Sequence, residues 1–194
     1  MEREVVIFIT VSIAALAAYI TAKVTSRNQL KIAEVTAKKD LEIHLSSIRD
    51  AREQKEIALL RKKLESLHNI LSKVSLENSL TVSFIQSDAK MPIEKFRSRY
   101  LDNCELFHKA QSISAIYYPE MTARLNEIYD ASNVFWGHQE GVLRIDINEN
   151  KAGWESNLEK VTSSSNLIAD KVKDLKYDIR EHGKALNKLL KQDS

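Results

Sequence analysis

Ile57 to Val74 reads IALLRKKLESLHNILSKV, and its apolar residues Ile57, Leu60, Leu64, Leu67, Leu71 and Val74 fall at alternating three- and four-residue steps. At 3.6 residues per turn this spacing draws one continuous seam along a helix, and such a seam needs a neighbouring helix to cover it. Upstream, Leu30, Ala33, Ala37, Leu41, Ile48 and Ala51 recur on one drifting face with no stop signal. Between the two patterns, Arg49 to Glu56 is heavily charged and reads as a solvated stretch.

Glycine and proline usage supports long helices. The 194 residues hold four glycines and two prolines, and neither type occurs before Pro92. Turns and strand boundaries draw on these residues. Their absence from so long a stretch predicts a first helix reaching about Ser87. Ser87 to Pro92 is the first break, since proline suits the first turn of a new helix, where its missing N–H is not needed. A second helix is expected over 92–118, with the seam Ile93, Phe96, Tyr100, Cys104, Phe107 and Tyr118. Pro119 opens a third, faced by Met121, Leu125, Ile128, Phe135 and Val142 and weakened toward its end by Gly137 and Gly141. Val142 to Ile147 is the one strand-like run and reads as the ragged end of that helix. Asn148 to Gly153 is a turn. A last helix from about Gly153 to Lys191 carries Trp154, Leu158, Val161, Ile168, Val172, Leu175, Ile179, Leu186 and Leu189, with Ser165 and His182 filling two seam positions. The expected class is all-α: a helical bundle or extended coiled-coil-like hairpins.

Val5 to Ala22, VVIFITVSIAALAAYITA, holds eighteen residues without a charge. At about 1.5 Å per residue it spans roughly 27 Å, near the thickness of a bilayer hydrocarbon core. Tyr19 suits the interface and Lys23 can snorkel. The start, Met-Glu-Arg-Glu, lacks the basic excess of a signal peptide. The expected organisation is therefore a transmembrane anchor at 1–24, a helical stalk at 25–56 and a bundle at 57–194. Only Arg3 precedes the apolar run, whereas Lys23, Arg27, Lys31, Lys38 and Lys39 follow it. The positive-inside rule then places the N-terminus outside the plasma (inner) membrane and the C-terminal domain in the cytoplasm.

Composition narrows the function classes. Twenty-nine basic and 27 acidic side chains leave a net charge of +2, without the concentrated basic face expected of a nucleic-acid binder. Cys104 is the single cysteine, so no internal disulfide can form. There is no glycine-rich phosphate loop, G-x-S-x-G, H-E-x-x-H or C-x-x-C motif.

The sharpest chemical pattern is a pair of Glu-x-x-His motifs, Glu65 with His68 and Glu105 with His108. Two such motifs plus two further glutamates hold the metals of carboxylate-bridged di-metal bundles. Here each pair lies beside its seam, which favours a solvated role over metal ligation. Cys104 has His108 one turn away, yet sits among Tyr100, Leu101 and Phe107 and reads as a small buried hydrophobe. His44, His138 and His182 share no ligand spacing; His182 reads as a polar interruption fixing register, with a pH switch the lesser alternative. Phe135-Trp136-Gly137-His138 either forms a binding lip or closes the end of a bundle.

These observations lead to a membrane-anchored helical interaction or scaffold module without catalytic activity, catalytic residues, cofactor or metal. Its expected partners are the lipid bilayer, a second copy meeting it through residues near 30–75, and a cytoplasmic protein. The alternatives are a pore-forming or other membrane-acting effector, a signal transmitter and, further off, a di-metal carboxylate enzyme.

Overall fold

The computed structural model describes the backbone of residues 2–85 and 91–192 and the side chains of residues 13–83 and 91–190. It contains four helices: α1 (Glu2–Ile85), α2 (Ile93–Tyr117), α3 (Pro119–Arg144) and α4 (Lys151–Gln192), with no strand among the described residues. The chain divides into two compact units, Met1–Gln54 and Lys55–Ser194.

The first unit is helix alone. Every side chain described in it, from Ile13 to Gln54, is exposed, including Leu30 at 68% and Leu41 at 58%. The expected membrane-crossing helix gains no support here: among the described residues no helix is long and apolar enough to cross a membrane. Val5 to Ser12, the first part of the apolar run, lies outside the residues whose side chains are described. The remainder, Ile13 to Ala22, rises only about 15 Å, half of a hydrocarbon core of roughly 30 Å.

The second unit is an up-down-up-down four-helix bundle. Tyr118 and Tyr117 reach back to Leu60 and Lys63, while Arg99 pairs with Glu77, so α2 runs antiparallel to the end of α1. Gln111–Asn126 and Asn103–Ser132 hydrogen bonds set α3 antiparallel to α2. Glu120–His182, Glu127–Lys171 and His138–Asn157 contacts do the same for α4 against α3. One groove is lined by Leu64 and Ile179 and another by Asn78 and Ile168, which closes the ring between α4 and α1.

Most seam positions lie inside as the spacing predicts, whereas Leu189 at the end of the α4 seam is exposed. Leu64, Leu67, Leu71, Val74, Phe107, Leu125, Ile128, Phe135, Val161, Ile168, Val172 and Leu175 share one core. Each such side chain contributes about 1.5–3 kcal/mol by leaving water. Truncating a fully buried one, Leu71 or Phe107, to alanine costs about 3–5 kcal/mol with the cavity included.

The corners are built from local hydrogen bonds. Tyr118 ends α2 and begins α3: its N–H donates to the Ser114 carbonyl, its own carbonyl accepts from Met121, and Pro119 takes the first helical position. The α3–α4 connection is held by the Asp146 carboxylate, which accepts the Asn148 N–H at 2.9 Å. The Asn150 side-chain oxygen then accepts the Gly153 N–H, also at 2.9 Å, and caps α4 two residues earlier than the sequence pattern predicts. The strand-like run at 142–147 ends α3 at Arg144, with Ile145 extended. The predicted break at 87–92 falls largely outside the described residues.

Candidate functional site

The bundle interior changes character along its length. Toward the Tyr118 corner it is apolar, apart from Ser114, whose hydroxyl donates to the Gln111 carbonyl and accepts from Thr122. Toward the α1–α2 and α3–α4 connections it contains Asn78, Thr81, Asn103, Ser132, Gln139 and Ser164, all buried. Thr81 donates to the Glu77 carbonyl, and the Asn103 amide donates to Ser132 Oγ at 3.1 Å. Both amide atoms of Asn78, Asn103 Oδ1, Gln139 Oε1 and Trp136 Nε1 are buried without a hydrogen-bond partner. Buried polar groups are normally paired, because leaving one unpaired costs about 1–3 kcal/mol. Four such residues in one half of a bundle mark it as the chemically unusual part of the molecule.

The residues singled out by sequence do not converge there. Glu65 is exposed and paired with Arg61 one turn away. His68 lies in the α1–α4 groove, where burial first and the positive charges of Lys176 and Arg180 second push its pKa down. Glu105 and His108 sit on the exposed side of α2, with the His108 ring against the edge of Tyr129 on α3. The two motifs therefore face different grooves, and no cluster of three or more potential metal ligands occurs among the described residues.

Cys104 is half-buried, not fully enclosed, because Asn103 takes the inward position beside it. A hydrogen bond with Cys104 is the main cause raising the Tyr100 pKa, ahead of burial. His182 is half-buried, 3.2 Å from Glu120 and edge-on to Tyr118. Burial, with the Glu120 carboxylate second, pushes the Tyr118 hydroxyl up to about 12. His138 meets Asn157 Oδ1 at 2.8 Å. Phe135 and Trp136 are core residues: Trp136 packs against Phe96, Tyr100 and Phe135 with ring centroids 5.1–5.8 Å apart. They close the bundle and form no exposed lip.

Sequence reasoning missed Asn78, Asn103, Gln139 and Ser164. The available signal was register: Asn78 falls four residues after Val74 and Ser164 three after Val161, continuing each seam with a polar residue. No family model, curated protein or solved structure matches the chain.

Proposed function

We propose that this chain is a membrane-tethered interaction module that works by binding, without catalysis, and associates with a second copy of itself through the helix of its first unit. The observation that carries this reading is the uncovered apolar face on that helix. Leu30, Leu41 and Ile48 stand exposed, aligned with Ala33 and Ala37.

The pattern suits an identical partner. Leu30, Ala33 and Ala37 recur eleven residues later as Leu41, His44 and Ile48. Eleven residues make about three turns, so the face stays nearly straight with a slight right-handed wrap. Acidic and basic residues alternate along its flanks, among them Glu34, Lys38, Asp40 and Arg49, so two copies meet without a block of like charge. The eighteen uncharged residues from Val5 to Ala22, followed by Lys23, Arg27 and Lys31, supply the reason for a membrane tether with the bundle on the cytoplasmic side. Two copies inserted in one bilayer have their N-termini at one level, which favours parallel, in-register pairing.

The test uses the full chain in membranes, with Cys104→Ser and one new thiol at Ala37→Cys. Oxidative crosslinking is expected to give a dimer through position 37, and no dimer from a thiol placed at Lys39, on the opposite side of the helix. Monomer alone from Ala37→Cys, or full-length protein left in the supernatant after detergent-free high-speed centrifugation, overturns the proposal.

A further inference from the structure

A groove of about 340 Å³ runs between α1 and α4. Arg61, Glu65 and His68 border it from α1, and Arg180, Gly183 and Asn187 from α4. Arg61 and Glu65 stand 3.3 Å apart, so their charges cancel. Arg180 is exposed and has no such partner. The carboxylates beside it on α4, Asp178 and Glu181, pair with Arg124 and Lys184. Its guanidinium lies 5.8 Å from the centroid of the Tyr177 ring and forms no ion pair among the described residues. One turn further on, nothing lies within 4 Å of a Cβ added at Gly183. Two independent facts therefore coincide: an uncompensated guanidinium and open space on the same helix face.

We propose that this groove is a binding site for a small organic monoanion, a carboxylate on a short apolar body, held by Arg180. The charge of the lining sets the class: Arg61, Glu65 and Arg180 together leave one positive charge. A guanidinium presents a planar fork of N–H donors that matches the two oxygens of a carboxylate. Asn187 adds amide N–H groups at the exposed rim. The stems of Arg61 and Arg180 and the bare backbone at Gly183 take the apolar body. Leu64 and Ile179 belong to the core beneath and offer little surface of their own. The volume falls within the range of small-molecule pockets. His68 registers the same positive field. Burial first, then Lys176 and Arg180 from α4, push its pKa down, and Arg61 and Glu65 share the groove with it from its own helix. An anion seated on Arg180 offsets part of that field and favours the imidazolium. This proposal stands apart from the membrane tether and self-association argued above, since it uses the second unit alone.

The experiment is a titration of the full chain in detergent, followed by NMR through the ring signals of its histidines, with His68 assigned by its disappearance in His68→Gln. Three probes are compared: benzoate, benzamide, which has the same shape without the charge, and inorganic phosphate. The expected result is a saturable shift of the His68 signal with benzoate, an upward move of its titration midpoint, and at least tenfold weaker binding of the other two probes. Arg180→Gln, at an exposed position, is expected to weaken benzoate at least tenfold. Gly183→Leu, which fills the groove where space is open, is expected to abolish the shift while circular dichroism shows the helices intact. No saturable shift, an equal response to benzamide or phosphate, or a response that persists in either variant overturns the proposal. So does a benzoate response that moves all the histidine signals together.

Discussion

The Tyr118 hydroxyl donates a 2.7 Å hydrogen bond to the backbone carbonyl of Leu60, 58 residues earlier in the chain. One side chain thus ties the α2–α3 corner to α1. Inside a helix the Leu60 carbonyl has its own backbone donor, so losing the tyrosine hydroxyl does not orphan it. Tyr118→Phe is expected to lower the unfolding free energy by about 0.5–1.5 kcal/mol, the net value of one such bond. Tyr118→Ala, which also empties the buried ring volume, is expected to cost about 3–5 kcal/mol. Urea unfolding followed by circular dichroism separates the two; equal losses would contradict the hydrogen-bond assignment.

Gly137 and Gly141, one turn apart on α3, are expected to respond in opposite directions to alanine. Nothing lies within 4 Å of a Cβ added at Gly137, so Gly137→Ala removes only glycine's backbone freedom and is expected to stabilise by about 0.5–1 kcal/mol. A Cβ at Gly141 would stand 2.6 Å from Asn157 Oδ1, the atom that meets His138. Gly141→Ala is expected to destabilise by about 1–3 kcal/mol. Asn157→Ala in the same chain should recover much of that loss, and thermal unfolding of the double-mutant cycle measures the coupling.

His68 is expected to give the bundle's stability a pH dependence. Its folded pKa lies below the ordinary 6.5, owing first to burial and then to Lys176 and Arg180 on α4. On its own helix, Arg61 and Glu65 line the same groove. The unfolded chain therefore binds a proton at a pH where the folded one does not, and stability rises with pH across that window. His68 contributes its full share above about pH 6.5, and that share is lost as the pH falls through the lowered value. His68→Gln is expected to flatten the dependence of urea midpoint on pH between 5 and 7. An unchanged slope would place the sensitivity elsewhere.

Asn103 and Ser132 form a buried pair that leaves Asn103 Oδ1 unsatisfied. Replacing both by apolar residues removes the pair and the orphan together. Asn103→Leu with Ser132→Ala is expected to leave the thermal midpoint unchanged or higher, whereas Asn103→Asp, which buries a charge, is expected to cost several kcal/mol. Calorimetry that ranks the double variant well below the parent would show that the pair is a net stabiliser.

Most of the helix framework was legible because three-four spacing is geometric. Met121, Leu125, Ile128, Phe135 and Val142 are all buried on α3, as their spacing requires. Legibility failed where a seam position is polar. Asn103, and not Cys104, points inward on α2, and Ser164, and not Ser165, on α4. Residue type cannot choose among three consecutive serines, and an asparagine inside a seam looks like an interruption until its neighbours are placed. The α4 start was hidden for a local reason: the Asn150 cap satisfies the first-turn N–H of Gly153, so the helix begins before its first apolar residue. The Arg180 groove was not legible, because it depends on which faces of two helices far apart in sequence meet.

The uneven interior gives the bundle a soft end and a firm end. Near Tyr118, close packing leaves little room for local opening. Near the α1–α2 and α3–α4 connections, orphaned amides make the closed state less favourable, and their exposure to solvent is compensated by hydration. Amide protons should therefore exchange fastest around Asn78 and Gln139 and slowest around Leu67, Phe107 and Leu125, so that the molecule breathes from one pole.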